Sequence, residues 1–268
     1  MSQEQLIQEL ISTLGADVVL RGADVPEHYQ TDWSGTPPQP LALVRPRTTE
    51  EVSAALRLCS AHKVAVVPQG GMTGLAGAAT PTQGAVALSL DRMNRIEDIN
   101  SQTGLMQVQA GVTLQAVQEA AVAAGMVFGV DLGARGSCQI GGNVSTNAGG
   151  NGVLQNGMMR EQVLGLEVVL PGGTVLPMLR PMLKNNTGYD LKQLFIGAEG
   201  TLGVITRAVL RLRPAPRARV AALVALPSFD AALALLALLQ ASLPGALAAF
   251  ELMWADFVDA SLRWQQLR

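Results

Sequence analysis

Residues 64–77 read VAVVPQGGMTGLAG, and the fold can be worked outward from them. An apolar, β-branched run closes at Pro68 and gives way at once to Gly70, Gly71 and Gly74. The run has the composition of a short buried strand. The glycines after it let successive backbone N–H groups converge and let a bulky anion approach with no Cβ in the way. Thr73 adds a hydroxyl donor. This is no Walker A loop, because no Gly-Lys-Ser/Thr follows, and its spacing is not G-x-G-x-x-G. Taken alone, residues 68–75 leave a plain tight turn open as the other reading.

Upstream, residues 41–44 form a short strand, and Thr48 with Glu51 makes a capping box before a helix carrying Val52, Ala55, Leu56 and Cys59. Before that, Ser2 caps an amphipathic helix with Leu6, Ile7, Leu10, Ile11 and Leu14, closed by Gly15. A turn is expected at Pro37, Pro38 and Pro40. Downstream, the pattern predicts strands over 85–90 and 105–110, a helix over 113–124 and a strand near 126–130. A hairpin follows, with strands over 163–170 and from Thr174, and a last strand spans 202–212. After a linker at 213–219, strands are expected over 220–226 and 248–252, and helices over 228–240 and 256–267. Two strands and two helices in some fifty residues seldom close a core alone. The division is therefore one domain over 1–217 and an incomplete second one over 218–268, with the chain expected to stop inside the latter.

Two further segments share the character of the first. Residues 131–152, DLGARGSCQIGGNVSTNAGGNG, hold seven glycines together with Ser137, Asn143, Ser145, Thr146, Asn147 and Asn151. Small residues and polar donors packed among Leu132, Cys138, Ile140 and Val144 suit a backbone wrapped against a large, partly buried polar ligand. A structural glycine-rich crossing is the alternative. Residues 184–206, KNNTGYDLKQLFIGAEGTLGVIT, place a polar turn before a short helix that Asp190 could cap. Lys184 and Asn186 are candidates to meet an anionic ligand, or are ordinary solvated turn residues. Glu199, beside Gly200, is read as a carboxylate holding its loop through backbone N–H groups in preference to a catalytic one.

Composition narrows the classes. With 268 residues, 49% of them hydrophobic, the chain can bury a full core. A net charge of −2 offers no excess of cations for nucleic acid. Cys59 and Cys138 stand far apart, which argues against a disulfide framework or a thiolate metal site. The two histidines, His28 and His62, lie away from the glycine segments, so no metal site, triad or histidyl-flavin bond is expected. The N-terminus lacks the pattern of a signal peptide, and the most apolar stretch, 220–239, is broken by Pro227, Ser228 and Asp230. A cytoplasmic protein without a transmembrane segment is the expectation. Trp33, Trp254 and Trp264 are read as core or interface residues.

Together, VVPQGGMTGLAG, LSLDRMNRI, DLGARGSCQIGGNVSTNAGG, VLGLEVVL and NNTGYDLKQLFIGAEGTLGVIT resemble the FAD-binding oxidases with the vanillyl-alcohol-oxidase (PCMH-type) flavin domain. Within them the likeness is to the branch of D-2-hydroxyacid dehydrogenases and glycolate oxidase flavin subunits, over roughly residues 30–260. The resemblance implies an α+β fold of two sheet-containing subdomains clasping non-covalent FAD, followed by the start of an α+β cap domain. It implies that Gln69, Gly70, Gly71, Met72, Thr73, Gly74 and Leu75 cradle the pyrophosphate through backbone N–H groups, with Pro68 also in the cofactor site. It also implies that Ser137, Gly141, Gly142, Ser145, Thr146, Asn147, Gly149 and Gly150 line the flavin and its ribityl chain, with Gly200, Val204 and Ile205 on the adenine side. The implied reaction takes a small D-2-hydroxy acid of D-lactate, D-2-hydroxyglutarate or glycolate type to its 2-oxo acid, with electrons passed on to a carrier protein or quinone.

Some positions depart from that pattern. Met72 stands where Asn is expected, Gln155 and Asn156 where Arg and Tyr are, and Gly129 and Val130 where Pro and Leu are. In the branch, the substrate clamp, the catalytic histidine and any metal ligands belong to the cap, so no catalytic residue or metal ligand is assigned here. Three alternatives stay open: a non-catalytic FAD-binding fragment, a reductase of the same fold using NADPH, and a nucleotide binder without flavin.

Overall fold

Ser2, Thr48, Thr113 and Ser228 each accept a hydrogen bond from the backbone N–H three residues on, so four helices begin at side chains that satisfy an otherwise orphaned donor. This computed structural model describes residues 2–34, 40–182 and 184–266. The turn expected at Pro37 and Pro38 lies outside the described residues, as does Leu267. In chain order the elements begin α1 (Gln3–Leu14), β1 (Val19–Leu20), β2 (Ala42–Val44), α2 (Thr49–Ala61), β3 (Val66–Gln69), β4 (Val86–Ser89), β5 (Ile96–Asn100) and β6 (Leu105–Gln109). Then come α3 (Leu114–Ala123), β7 (Met126–Phe128), α4 (Ile140–Ser145), α5 (Val153–Asn156), α6 (Met159–Gln162), β8 (Val163–Val169) and β9 (Val175–Met178). The last are α7 (Lys192–Phe195), β10 (Val204–Pro214), α8 (Phe229–Ser242) and α9 (Ala255–Gln266).

The first sheet runs β1-β2-β4-β3. β2 and β3 lie parallel on either side of β4, with α2 as the crossover, and β1 pairs antiparallel with β2. Every residue of β2 and β4 is buried, the near-continuous apolar signature of a sheet covered on both faces. The second sheet is antiparallel, β5-β6-β10-β8-β9, with β7 pairing the far end of β10. This is the α+β arrangement of two sheets that the resemblance implies.

One polar network ties the two halves together. Glu167 on β8 accepts from the Thr49 hydroxyl of α2 at 2.6 Å, from Thr206 at 2.8 Å and from the Arg207 guanidinium at 2.6 Å. Arg207 also donates to Glu97 on β5 at 2.8 Å. The Glu167 carboxylate is thus buried with a cation and two hydroxyls on it, the condition under which a buried charge is tolerated.

Several expectations need correction. β5 falls between the strands that the pattern predicts. The capping box at α2 is half formed: Thr48 accepts from Glu51, but the Glu51 carboxylate accepts from the Arg47 backbone instead. Asp190 does not cap α7, whose N-cap is Leu191; its carboxylate takes the side chains of Lys192 and Gln193. Among the described residues, 220–226 and 248–252 pair with no strand, and they stand mostly exposed. Among the described residues after 217, Ala232 is the only buried one. Trp33, Trp254 and Trp264 are 76%, 61% and 62% exposed, which overturns a core role, although Trp254 stacks on Phe229 with ring centres 6.0 Å apart. No described helix is long and apolar enough to cross a membrane.

Candidate functional site

β3 delivers Gln69 to the edge of the first sheet, and the chain beyond it runs to β4 with no helix or strand. None of the backbone N–H groups of residues 70–75 donates to an acceptor within the described residues. Such a run of free donors is what an oxyanion requires, since buried or partly buried N–H groups otherwise find a partner. Met72 holds φ at +53°, a left-handed conformation uncommon for an unbranched apolar residue and natural for Asn or Gly.

The three glycine-rich segments meet. Gly71 abuts Ser137, where a Cβ would overlap the carbonyl oxygen and lie 2.9 Å from the Cys138 Cα. The third segment is laced to the second by backbone bonds, Gly197 N to Val144 O at 3.1 Å and Glu199 N to Ser145 O at 2.9 Å. Asn147, at φ +49°, accepts from the Arg160 backbone at 2.9 Å, while the Arg160 guanidinium holds the carbonyls of Gln193 and Ile196. Gly200, at φ +79°, packs on Pro68, closing the triangle.

Between them lies a shallow cleft of about 90 Å³, open to solvent. Its walls include Pro68, Gln69, Gly70, Gly141, Gly142, Ser145, Thr146, Gly200, Val204 and Ile205. Ala78, Ala79, Leu90, Glu199 and Gly203 complete them. Of these five, Glu199 holds its loop by its own N–H, to Ser145 O, and not by its carboxylate as the sequence suggests. The two alanines are missed by sequence reasoning because nothing but their distance along the loop marks them. Gly71, Met72, Thr73, Gly74, Leu75, Ser137, Asn147, Gly149 and Gly150 are not among the walls. Gly150, at φ +86°, instead lies against the Asp131 backbone in an isolated bridge. Lys184 and Asn186 are exposed and also outside the cleft.

The walls are built of small residues and backbone, the kind of surface a flat or phosphorylated ligand can lie against. Gly70 and Gly142 face each other, and a Cβ on Gly142 would meet nothing closer than the Gly70 Cα at 4.0 Å. A Cβ on Gly70 would likewise stand 3.6 Å from the Gly142 Cα, so the two backbones approach closely here and form one continuous stretch of wall. The Ser145 and Thr146 hydroxyls donate back to the carbonyls of Gly141 and Gly142, leaving their lone pairs to accept. Of residues 70–75 only Gly70 is in the wall; the amides of the others lie beyond it on the loop and make no hydrogen bond among the described residues. Glu199 is the only acid or base among the lining residues. Among the described residues, no group of three or more His, Cys, Asp or Glu is placed to hold a metal ion.

The wall beneath the loop is braced by Asp91, which accepts from the Tyr29 hydroxyl at 2.5 Å and from Arg45 at 2.6 Å. Burial disfavours charge on Asp91, but the bonds from Arg45 and Tyr29 outweigh it and hold the carboxyl below its ordinary range. Burial first, and then the bond to Asp91, push the Tyr29 phenol up to about 12.

The family profile described as FAD binding domain matches residues 40–178, the span that holds the first two segments and the first sheet's parallel strands. The chain belongs to that family. Among relatives of this FAD-binding domain are a D-2-hydroxyglutarate dehydrogenase of Xanthomonas citri pv. viticola, 46% identical over 88% of this chain and 49% of its own length. A mitochondrial D-2-hydroxyglutarate dehydrogenase of Bos taurus is 48% identical over 80% of this chain and 39% of its own length. The chain therefore spans about half the length, or less, of these curated relatives. A solved structure of alkyldihydroxyacetonephosphate synthase superposes with a TM-score of 0.75 at 21% identity, covering 90% of this chain and 50% of that one, which establishes the fold. FAD is accordingly the cofactor of this domain.

Proposed function

We propose that this chain is the flavin-binding part of an FAD-dependent oxidoreductase that takes a small D-2-hydroxy acid to its 2-oxo acid. The supporting observation is one cleft lined together by the end of β3 with Gly70, by α4 and by Gly200, beside a loop whose 70–75 amides make no hydrogen bond among the described residues. In this reading, the loop after β3 holds the pyrophosphate by the backbone N–H groups of residues 71–75, with Pro68, Gln69 and Gly70 beside it in the wall. Ser137, Gly141, Gly142, Ser145, Thr146, Asn147, Gly149 and Gly150 form or support the wall along the ribityl chain and ring. Gly200, Val204 and Ile205 close the adenine side.

Bound FAD supplies the electron sink for oxidation at the hydroxyl-bearing carbon. This chain's residues bind and orient it and keep water from one face. The D-2-hydroxyglutarate dehydrogenases among its relatives support the 2-hydroxy acid class. Residues 1–217 would be the FAD-binding domain and 218–268 the beginning of a substrate-side domain, with an electron-acceptor protein or quinone as redox partner and a cytoplasmic setting.

The visible spectrum of the purified protein tests this. A flavin band that D-2-hydroxyglutarate or D-lactate bleaches anaerobically is the expected result. A colourless protein that takes up no added FAD would overturn the reading, and bleaching by NADPH alone would favour a reductase.

A further inference from the structure

Gln69 is 1% exposed, lines the cleft, and has its side-chain amide fixed from one end. Its Nε2 donates to the Tyr29 carbonyl at 2.8 Å and to the Ala79 carbonyl at 3.0 Å. Both partners are pure acceptors, so the amide cannot be turned over, and the orientation of Oε1 follows from chemistry. Oε1 is buried and has no hydrogen-bond partner. A second buried side-chain oxygen without a partner, Gln139 Oε1, lies 3.7 Å from where a Cβ on Gly70 would sit. A buried acceptor left unpaired is costly, and in a ligand cleft the missing partner is a donor that the ligand brings.

We infer that Gln69 Oε1 accepts a hydrogen bond from a hydroxyl or ring N–H of the bound flavin nucleotide. An amide oxygen repels an anion, so Gln69 cannot sit on the phosphates. The pyrophosphate is thereby confined to the N–H groups beyond Gly70, and a sugar or ring donor is placed at the end of β3. Gln69 is then a specificity residue as well as a tether of the loop at Ala79. This inference rests on the FAD-binding reading above.

The test is FAD affinity, measured by fluorescence quenching with the deflavinated protein. Its probes are FAD analogues that each lack one donor: the N3–H, a ribityl hydroxyl, a ribose hydroxyl or the adenine amine. In the wild type, one analogue should bind about tenfold more weakly than FAD, the worth of one buried hydrogen bond. Gln69→Glu keeps an acceptor oxygen and should keep that discrimination, whereas Gln69→Met should bind the same analogue as well as it binds FAD. A merely structural glutamine predicts equal behaviour of the two variants, since both lose the Nε2 donors. Parallel losses in all three proteins for every analogue would overturn the inference while leaving FAD binding intact. No FAD binding by the wild type would overturn both. Should Gln69→Met not fold, the Gln69 side-chain carbonyl ¹³C resonance of the wild type gives an independent readout: it should move downfield when FAD binds, and a resonance that stays put would refute the bond.

Discussion

Gly71 lies so close against the carbonyl group of Ser137 that a Cβ would overlap the oxygen and stand 2.6 Å from the carbon. The neighbour is backbone, which cannot swing aside as a long side chain would. Gly71→Ala is therefore expected to cost at least about 3 kcal/mol by forced separation of the two segments. Chemical denaturation of the two proteins checks this; a midpoint unchanged from wild type would refute the contact.

Gly142 gives the opposite expectation. Its added Cβ has free room, and it sits within α4, where Ala is favoured over Gly by about 1 kcal/mol. Gly142→Ala should melt at the same temperature as the wild type or higher, yet bind FAD at least about tenfold more weakly, because the methyl group stands on a residue that lines the cleft. Equal FAD affinity in the variant would show that the nucleotide does not lie against Gly142.

Met72→Asn should stabilise the protein. A left-handed backbone costs an ordinary side chain roughly 1–2 kcal/mol and Asn less, since its short amide bonds locally. Met72 at φ +53° carries that strain. A rise of about 1 kcal/mol in unfolding free energy is expected, together with tighter FAD binding if the loop is pre-ordered. A fall in stability would mean that the Met72 side chain packs more usefully than its backbone suffers.

The Tyr29–Asp91–Arg45 brace predicts two pH limbs. Asp91 has a lowered folded-state pKa, so its contribution is present above the ordinary carboxyl value and is lost as pH falls through the lowered one. Tyr29 has a raised one, so its contribution is complete below the ordinary phenol value and is lost as pH rises through about 12. Asp91→Asn should flatten the acid limb of melting temperature against pH, and Tyr29→Phe the alkaline limb. Limbs that run parallel to those of the wild type would count against the brace.

Removing Arg207 tests the network between the halves. Arg207→Met leaves the Glu167 carboxylate buried with hydroxyls alone, and a loss of about 3 kcal/mol is expected. Arg207→Met combined with Glu167→Gln should recover part of it. No recovery in the double variant would place the cost in packing and not in the stranded charge.

Much of the first 214 residues is legible in the sequence, because buried parallel strands read as apolar runs and the helix caps are short polar side chains at fixed offsets. β5 is not: Ile96–Asn100 is an edge strand with a register shift between Ile96 and Asp98, so its two apolar residues, Ile96 and Ile99, do not alternate. The apolar run at 220–226 fails for the reverse reason. Its composition suits a strand, but a strand is defined by a neighbour's hydrogen bonds, and among the described residues none is offered. The glycine segments announce a site without saying which glycine serves it. Gly71 and Gly150 are pressed on backbone while Gly70 and Gly142 border space, a distinction carried by tertiary contact alone.

β10 runs through the middle of the second sheet, bonded to β6, β7 and β8, and its first two residues, Val204 and Ile205, are also cleft wall. Amides there should exchange with solvent only on the timescale of whole-molecule opening. The facing stretch between β3 and β4 has no ladder to break. Entry and escape of a bound nucleotide must therefore be set by the loop side, and its residence time should respond to loop substitutions long before it responds to any change in the strand.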